Sequence, residues 1–315
     1  MTVRGQVRRA LERAGGVPAG GTVHEARPRA ILRPFGDGRL LETDADRPIP
    51  VGPAAFAPDG VGFLAGVQRY VLDGHVELTP VVRAWVAAGV LERREGALRC
   101  VVRQGEEFLV VPAGRLGKEQ RAPFDEAGLP VVGCDSADRP HPLLDRWAAV
   151  RAIDTRRAAC ERAAADRFLR AHAEAPLVVD GPAAGFADLG GARRVIATIR
   201  EHETLFLEGR ALATALTLPA GHRSGVFLLE GRGGGAETYS WYLRLWPWTD
   251  DDLLHGLIRI ERTGAPDWAG DADRISRWLL GERTPIAGTG PRWDRVFYPM
   301  HEVETYLRAH AGGWR

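Results

Sequence analysis

Two carboxylates define the chemistry this sequence could perform. Glu161 falls in a helix-period stretch between Ala158 and Ala165, and Asp180 closes the apolar run PLVVDG at residues 176–181. A carboxylate at a strand end that opens into a loop is fixed by the sheet yet accessible, a common position for ligands and catalysts. Two facing carboxylates repel, raise one another's pKa and are relieved by a divalent cation. The competing reading is structural: Asp180 caps a turn, and Glu161 pairs with an arginine such as Arg157.

A second feature is SWYLRLWPW at 240–248, followed by GLIRIE at 256–261. On a strand, Trp241, Leu243 and Leu245 point one way and Tyr242, Arg244 and Trp246 the other. One face could then be core. The other could be a groove where Arg244 and Arg259 meet phosphates while Tyr242 or Trp246 stacks on bases. The plainer alternative is a cross-strand packing cluster with snorkelling arginines.

Other chemistries find little support. The nine histidines form no HxxxH or HExxH pair, and Cys100, Cys134 and Cys160 are too dispersed for a zinc site or disulfide frame. There is no P-loop, and the glycines at 232–235 lack the strand–turn–helix setting that phosphate binding needs.

The elements that must position these groups follow from periodicity. A helix over 1–16 ends at Gly15-Gly16, and residues 17–60, rich in proline, read as an extension that lies on a partner or a second subunit. Strands are expected at 61–72, 98–103 and 107–112, with Gln104-Gly105 as a hairpin turn. A long helix runs from Pro142 to His172, with Leu144, Trp147, Arg151, Asp154, Ala158, Glu161, Ala165 and Phe168 on one face. Strands at 176–181, 193–200, 224–230, 238–246 and 256–261 and helices at 203–216, 271–281 and 299–310 complete one mixed α/β domain, with a hairpin tip at Gly233-Gly235.

The 315 residues carry 42 basic and 41 acidic side chains, a formal charge of +1, and Lys118 is the one lysine. Neutrality excludes a globally basic nucleic-acid binder but not a local arginine-lined groove. No stretch has the apolar length of a signal peptide core or a membrane span, so a soluble cytoplasmic protein is expected.

The order FLAGVQR, a long helix with an inward glutamate, LVVDGP, VIATIR, SWYLRL, GLIRIE and FYPMHEVETYLR resembles the NurA nuclease family over roughly residues 60–311. The resemblance implies an RNase H-like mixed sheet flanked by helices over 61–311, with residues 1–60 for partner or dimer contacts and 312–315 as a tail. It also implies a homodimer that cuts DNA with Mn²⁺ or Mg²⁺ and works with the hexameric ATPase HerA on DNA ends. By the same resemblance Asp180 matches the strand-end aspartate, Glu161 the helix glutamate, His301 a C-terminal histidine near the metals, and Tyr242 an active-site tyrosine. Arg200 stands where many relatives have lysine, and Arg69, Arg200, Arg223, Arg244 and Arg259 would grip the strand.

One departure carries more weight than the matches. Relatives have an aspartate at the first strand, where this chain has Ala65. That aspartate bridges two metals about 3.5–4 Å apart in such nucleases, and alanine offers no oxygen. The chain as written is therefore expected to be inactive. An alanine beside two retained acids reads as a deliberate inactivation in preference to a natural pseudo-nuclease. The rival function is a non-catalytic subunit that clamps DNA for the ATPase.

Overall fold

Three long strands in succession form the spine of the molecule: β4 (Gly62–Val76), β5 (Thr79–Arg94) and β6 (Ala97–Pro112). Val76 pairs with Thr79 and Arg94 with Ala97, so each hairpin closes through two residues. In the second turn Glu95 and Gly96 both have positive φ, 53° and 77°, which matches the twist of the flanking strands. Gln104-Gly105 is not a turn. It lies within β6, where Gln104 pairs with Ala88 and Gly105 with Ala87.

The computed structural model describes residues 3–19, 23, 36–42, 47–135, 138–229, 237–247, 252–264, 267–285, 297–312 and 314. Before the spine come α1 (Val3–Arg13), β1 (Val17–Pro18), β2 (Gly38–Leu40) and β3 (Ile49–Pro50). After it come α2 (Lys118–Asp125), β7 (Val131–Cys134), α3 (Pro142–Ala171), β8 (Leu177–Asp180), β9 (Val195–Ile199) and α4 (Gly209–Leu216). The chain continues through β10 (His222–Arg223), β11 (Phe227–Leu229), β12 (Thr238–Arg244), β13 (Leu257–Thr263), α5 (Trp268–Glu282) and α6 (Tyr298–Ala309). The expected hairpin tip at 233–235 lies outside the described residues.

One mixed sheet runs in the order β2-β11-β12-β13-β9-β8-β4-β5-β6-β7. The β4/β8, β8/β9 and β6/β7 pairs are parallel, and the other neighbours are antiparallel. The described parts of residues 17–60 join this same sheet: β1 pairs with β4, β2 with β11 and β3 with β10. Val51 and Ala57 are buried in the main core.

Helices cover both faces. α5 and α6 pack on one side against Phe63, Ala65, Val178, Trp241 and Ile260. On the other side α3 packs against Leu64, Val90 and Val179 in one cluster and Tyr70, Val86 and Phe108 in another. The 30-residue α3 begins at Pro142, with the His141 ring accepting from Leu144 N at 3.3 Å as its cap. Its buried face holds Asp145, Ala149, Ile153, Arg157, Glu161, Ala165 and Phe168. The expected face is right from Glu161 onward, but Leu144, Trp147, Arg151 and Ala158 face solvent. Alanine-rich sequence leaves the phase of a helix poorly marked.

The helix expected over 203–216 begins only at Gly209. Phe206 and Leu207 plug a core cluster instead, and Leu205 O accepts a bond from Gly36 N, a contact distant in sequence. No helix among the described residues is long and apolar enough to cross a membrane.

Candidate functional site

Asp180 and Ala65 lie on neighbouring strands, β8 and β4, with β9 on the far side of β8. Phe63 pairs with Val178 and Leu64 with Val179, so Ala65 comes next to Asp180 in register. Phe63, Ala65 and Val178 belong to the core under α5 and α6, while Leu64 and Val179 face α3. Strand alternation therefore places the Ala65 and Asp180 side chains on the α6 face and Gly66 on the α3 face. Ala65 is 1% exposed, in a cluster with Met300, Val303 and Leu307.

Asp180 is held by Arg200, which follows β9. Arg200 Nη2 donates to Asp180 Oδ2 at 2.7 Å and to Glu304 Oε1 of α6 at 3.2 Å, and Arg308 lies 3.1 Å from Glu304 Oε2. Burial works against the Arg200 charge, but Asp180 and Glu304 outweigh it and raise its pKa.

Glu161 belongs to the opposite face. Its carboxylate lies over Gly66, where a Cβ would overlap Oε1. Its partner is Arg157, one helical turn earlier, whose Nη1 donates to Glu161 Oε1. Arg157 also donates from Nε to Gln68 Oε1 at 3.1 Å and from Nη2 to Asp154 Oδ1 at 2.8 Å. Here too burial opposes the guanidinium charge, and Glu161 and Asp154 raise its pKa in spite of it.

These residues do not fit a two-metal centre. Ala65 supplies no oxygen, Glu161 and Asp180 approach from opposite faces, and each already has a guanidinium counter-ion. Among the described residues no group of three or more His, Cys, Asp or Glu is placed to hold a metal ion. Glu161 has adopted the structural pairing with Arg157 in place of a partnership with Asp180.

The remaining expected site residues disperse. His301 lies on α6, three residues before Glu304, with its Nε2 3.4 Å from Thr305 Oγ1. Tyr242 is fully buried, packed on Phe227 with ring centroids 5.7 Å apart, and burial raises its pKa. Arg244 is also fully buried: it donates to the carbonyls of Leu216 at 2.6 Å, Leu253 at 2.9 Å and His255, and burial pushes its pKa down to about 10. Arg259 pairs with Glu261 at 2.7 Å and stacks over Phe206 at 4.4 Å. Arg223 is 2% exposed between Glu42 and Asp273. Arg69 donates to Trp314 O at 2.5 Å.

The groove expected along Tyr242, Arg244 and Arg259 is thus closed. Residues 206–218 cover that face, and its arginines serve carbonyls and carboxylates within the fold. The cross-strand packing alternative describes it, with Tyr242 opposite Arg259. Sequence reading passed over Glu304 and Gln68. Glu304 had a signal, since His301, Glu304 and Arg308 recur at helical spacing in FYPMHEVETYLR. Gln68 had none.

Together these elements define a mixed α/β protein, one large mixed sheet with helices on both faces. The chain is similar to the crystal structure of the NurA nuclease from Sulfolobus solfataricus, with a TM-score of 0.50 and 10% identity over 85% of this chain and 84% of that one. No family model and no curated protein sequence matches it.

Proposed function

We propose that this chain is a NurA-like subunit that holds DNA for a HerA-type hexameric ATPase during DNA end processing, and that it does not cleave DNA in the form written here. The observation that carries the non-cleaving part is the arginine pairing: Asp180 with Arg200, Glu161 with Arg157, and Ala65 between them without an oxygen. Arginines internal to the fold supply the positive charge that Mn²⁺ or Mg²⁺ supplies in a metal-dependent nuclease. The likeness to a nuclease fold supports DNA as the ligand, and the homodimer and the ATPase ring are part of the same reading.

The test uses the purified chain with labelled duplexes bearing single-stranded ends, in Mn²⁺ or Mg²⁺ and in EDTA. The expected result is salt-sensitive binding in EDTA and no degradation with either metal. Metal-dependent degradation by the unaltered chain would overturn the proposal.

A second reading rests on one observation, the adjacency of Ala65 and Asp180 on neighbouring parallel strands. An aspartate at 65 would stand beside Asp180, as in an active parent enzyme. Ala65→Asp would then degrade DNA in Mn²⁺, whereas the first reading expects background activity alone and with the ATPase.

A further inference from the structure

Next to the Asp180–Arg200–Glu304 cluster is a cavity of about 320 Å³. Trp246, Phe297, Leu254 and Ile258 give it apolar walls, and Arg200, Asp252 and His255 give it polar ones. Its volume is at the lower end for small-molecule sites, about 300–1,000 Å³, and apolar walls with a few polar groups are their usual composition. Arg200 follows β9 and touches Asp180 at the end of the parallel strand β8. Ligands of open α/β sheets bind outside the carboxyl ends of such strands.

The walls are fixed by the fold. Arg244 holds the 252–257 loop through the carbonyls of Leu253 and His255, and Leu245 N donates to Gly256 O at 2.7 Å. Gly256 has φ +66°, and a Cβ there would stand 2.7 Å from Trp246 Cβ, so only glycine lets the loop close on the tryptophan. Arg283 stacks over the Trp246 ring at 4.4 Å and donates to Leu245 O at 2.6 Å. A buried arginine spent on carbonyls and another spent on one indole make a pre-formed pocket.

We infer that this cavity takes the base of an unpaired nucleotide, with guanine preferred; the inference rests on the DNA-holding reading above. Trp246, half-buried in the wall, suits a planar ring. Arg200 is already balanced by Asp180 and Glu304, so the lining offers no spare positive charge for a phosphate. The group that enters the cavity is therefore not an anion. Asp252, an exposed lining residue, accepts from Leu254 N at 2.9 Å through Oδ1, and its charge also acts on Arg244. A carboxylate only accepts hydrogen bonds, so it selects a ring edge that presents N–H donors, as guanine does and adenine's ring nitrogens do not.

The test is calorimetry of the full chain with guanosine, GMP and adenosine, alongside oligonucleotides with 2-aminopurine at successive positions of an unpaired end. The expected result is that guanosine binds about tenfold tighter than adenosine and about as tightly as GMP, and one 2-aminopurine position changes fluorescence. Asp252→Asn should remove the guanosine preference while keeping the Leu254 bond, and Leu254→Trp should block the cavity and abolish the fluorescence change. If DNA binds but no nucleoside does, and no position responds, the inference falls and the DNA-holding proposal stands. If guanosine binds and DNA does not, the DNA-holding proposal falls alone. GMP binding tenfold or more above guanosine would overturn the neutral-ring assignment.

Discussion

The Glu161 carboxylate occupies the space above Gly66 that a side chain on β4 would otherwise fill. The glycine is required by close approach, since its φ does not lie in the left-handed region. Gly66→Ala would force Glu161 off the strand and strain its bond to Arg157, which has no other room in a face packed by α3. Overpacking of this kind costs about 1–3 kcal/mol. A urea midpoint lowered accordingly is the expected outcome, and an unchanged midpoint would show that Glu161 can leave Gly66 freely.

Replacement of Ala65 by aspartate tests the other side of the same strand. Position 65 is 1% exposed, and Arg200, which holds the adjacent Asp180, is already shared with Glu304. An added carboxylate has no counter-ion, so Ala65→Asp should lose about 3 kcal/mol at neutral pH. Burial and the neighbouring Asp180 would raise the new group's pKa, so the loss should shrink as pH falls toward its unfolded value of about 3.9. Under the non-cleaving reading, Mn²⁺ leaves the thermal midpoint of Ala65→Asp where it is. A Mn²⁺-specific recovery of that midpoint would favour the restored-nuclease reading.

The Arg157–Glu161 pair predicts strong non-additivity. Both side chains are over nine-tenths buried, 9% and 8% exposed, so removal of either partner leaves the other charged and desolvated. Arg157→Met alone should destabilise by about 3–5 kcal/mol, while Arg157→Met with Glu161→Leu should come much closer to the parent. Chemical denaturation of the three variants measures the coupling. Additive losses would mean that the guanidinium acts through Gln68 and Asp154 and not through Glu161.

The sequence made most element types legible and left their partnerships hidden. A strand over 61–72, which the structure extends to Val76, the long helix, Asp180 at a strand end and the split faces of Trp241 and Tyr242 follow from period and local composition. β5 did not emerge, because TPVVRAWVAAGVLERR is buried on both faces and shows no clean alternation. For the same reason Tyr242 and Arg244 looked like one wall of a groove. Alternation assigns a face to each residue but says nothing of what covers that face, and residues 206–218 return from elsewhere in the chain to cover it. Arg200 and Glu304, 104 residues apart, meet only because α6 folds back over the strand ends.

His202 gives the fold a pH dependence with a definite sign. Its ring lies 5.8 Å from Tyr242, with Nε2 3.0 Å from Leu257 O, and burial followed by nearby Arg259 and Arg244 lowers its pKa beyond what the carbonyl restores. The folded state therefore keeps the ring neutral where the unfolded chain, with a pKa near 6.5, takes up a proton. Below that unfolded value the unfolded state binds more protons, so stability falls as pH drops from 6.5 toward the folded pKa. The slope approaches about 1.4 kcal/mol per pH unit for one proton. His75, whose pKa is lowered by burial and then by Arg146, acts in the same direction, so His202→Gln should remove part of the slope between pH 7 and 5. His202→Gln with His75→Gln should remove more. Denaturation midpoints across that range provide the measurement, and a slope unchanged in His202→Gln would place the ring's titration outside the folded core.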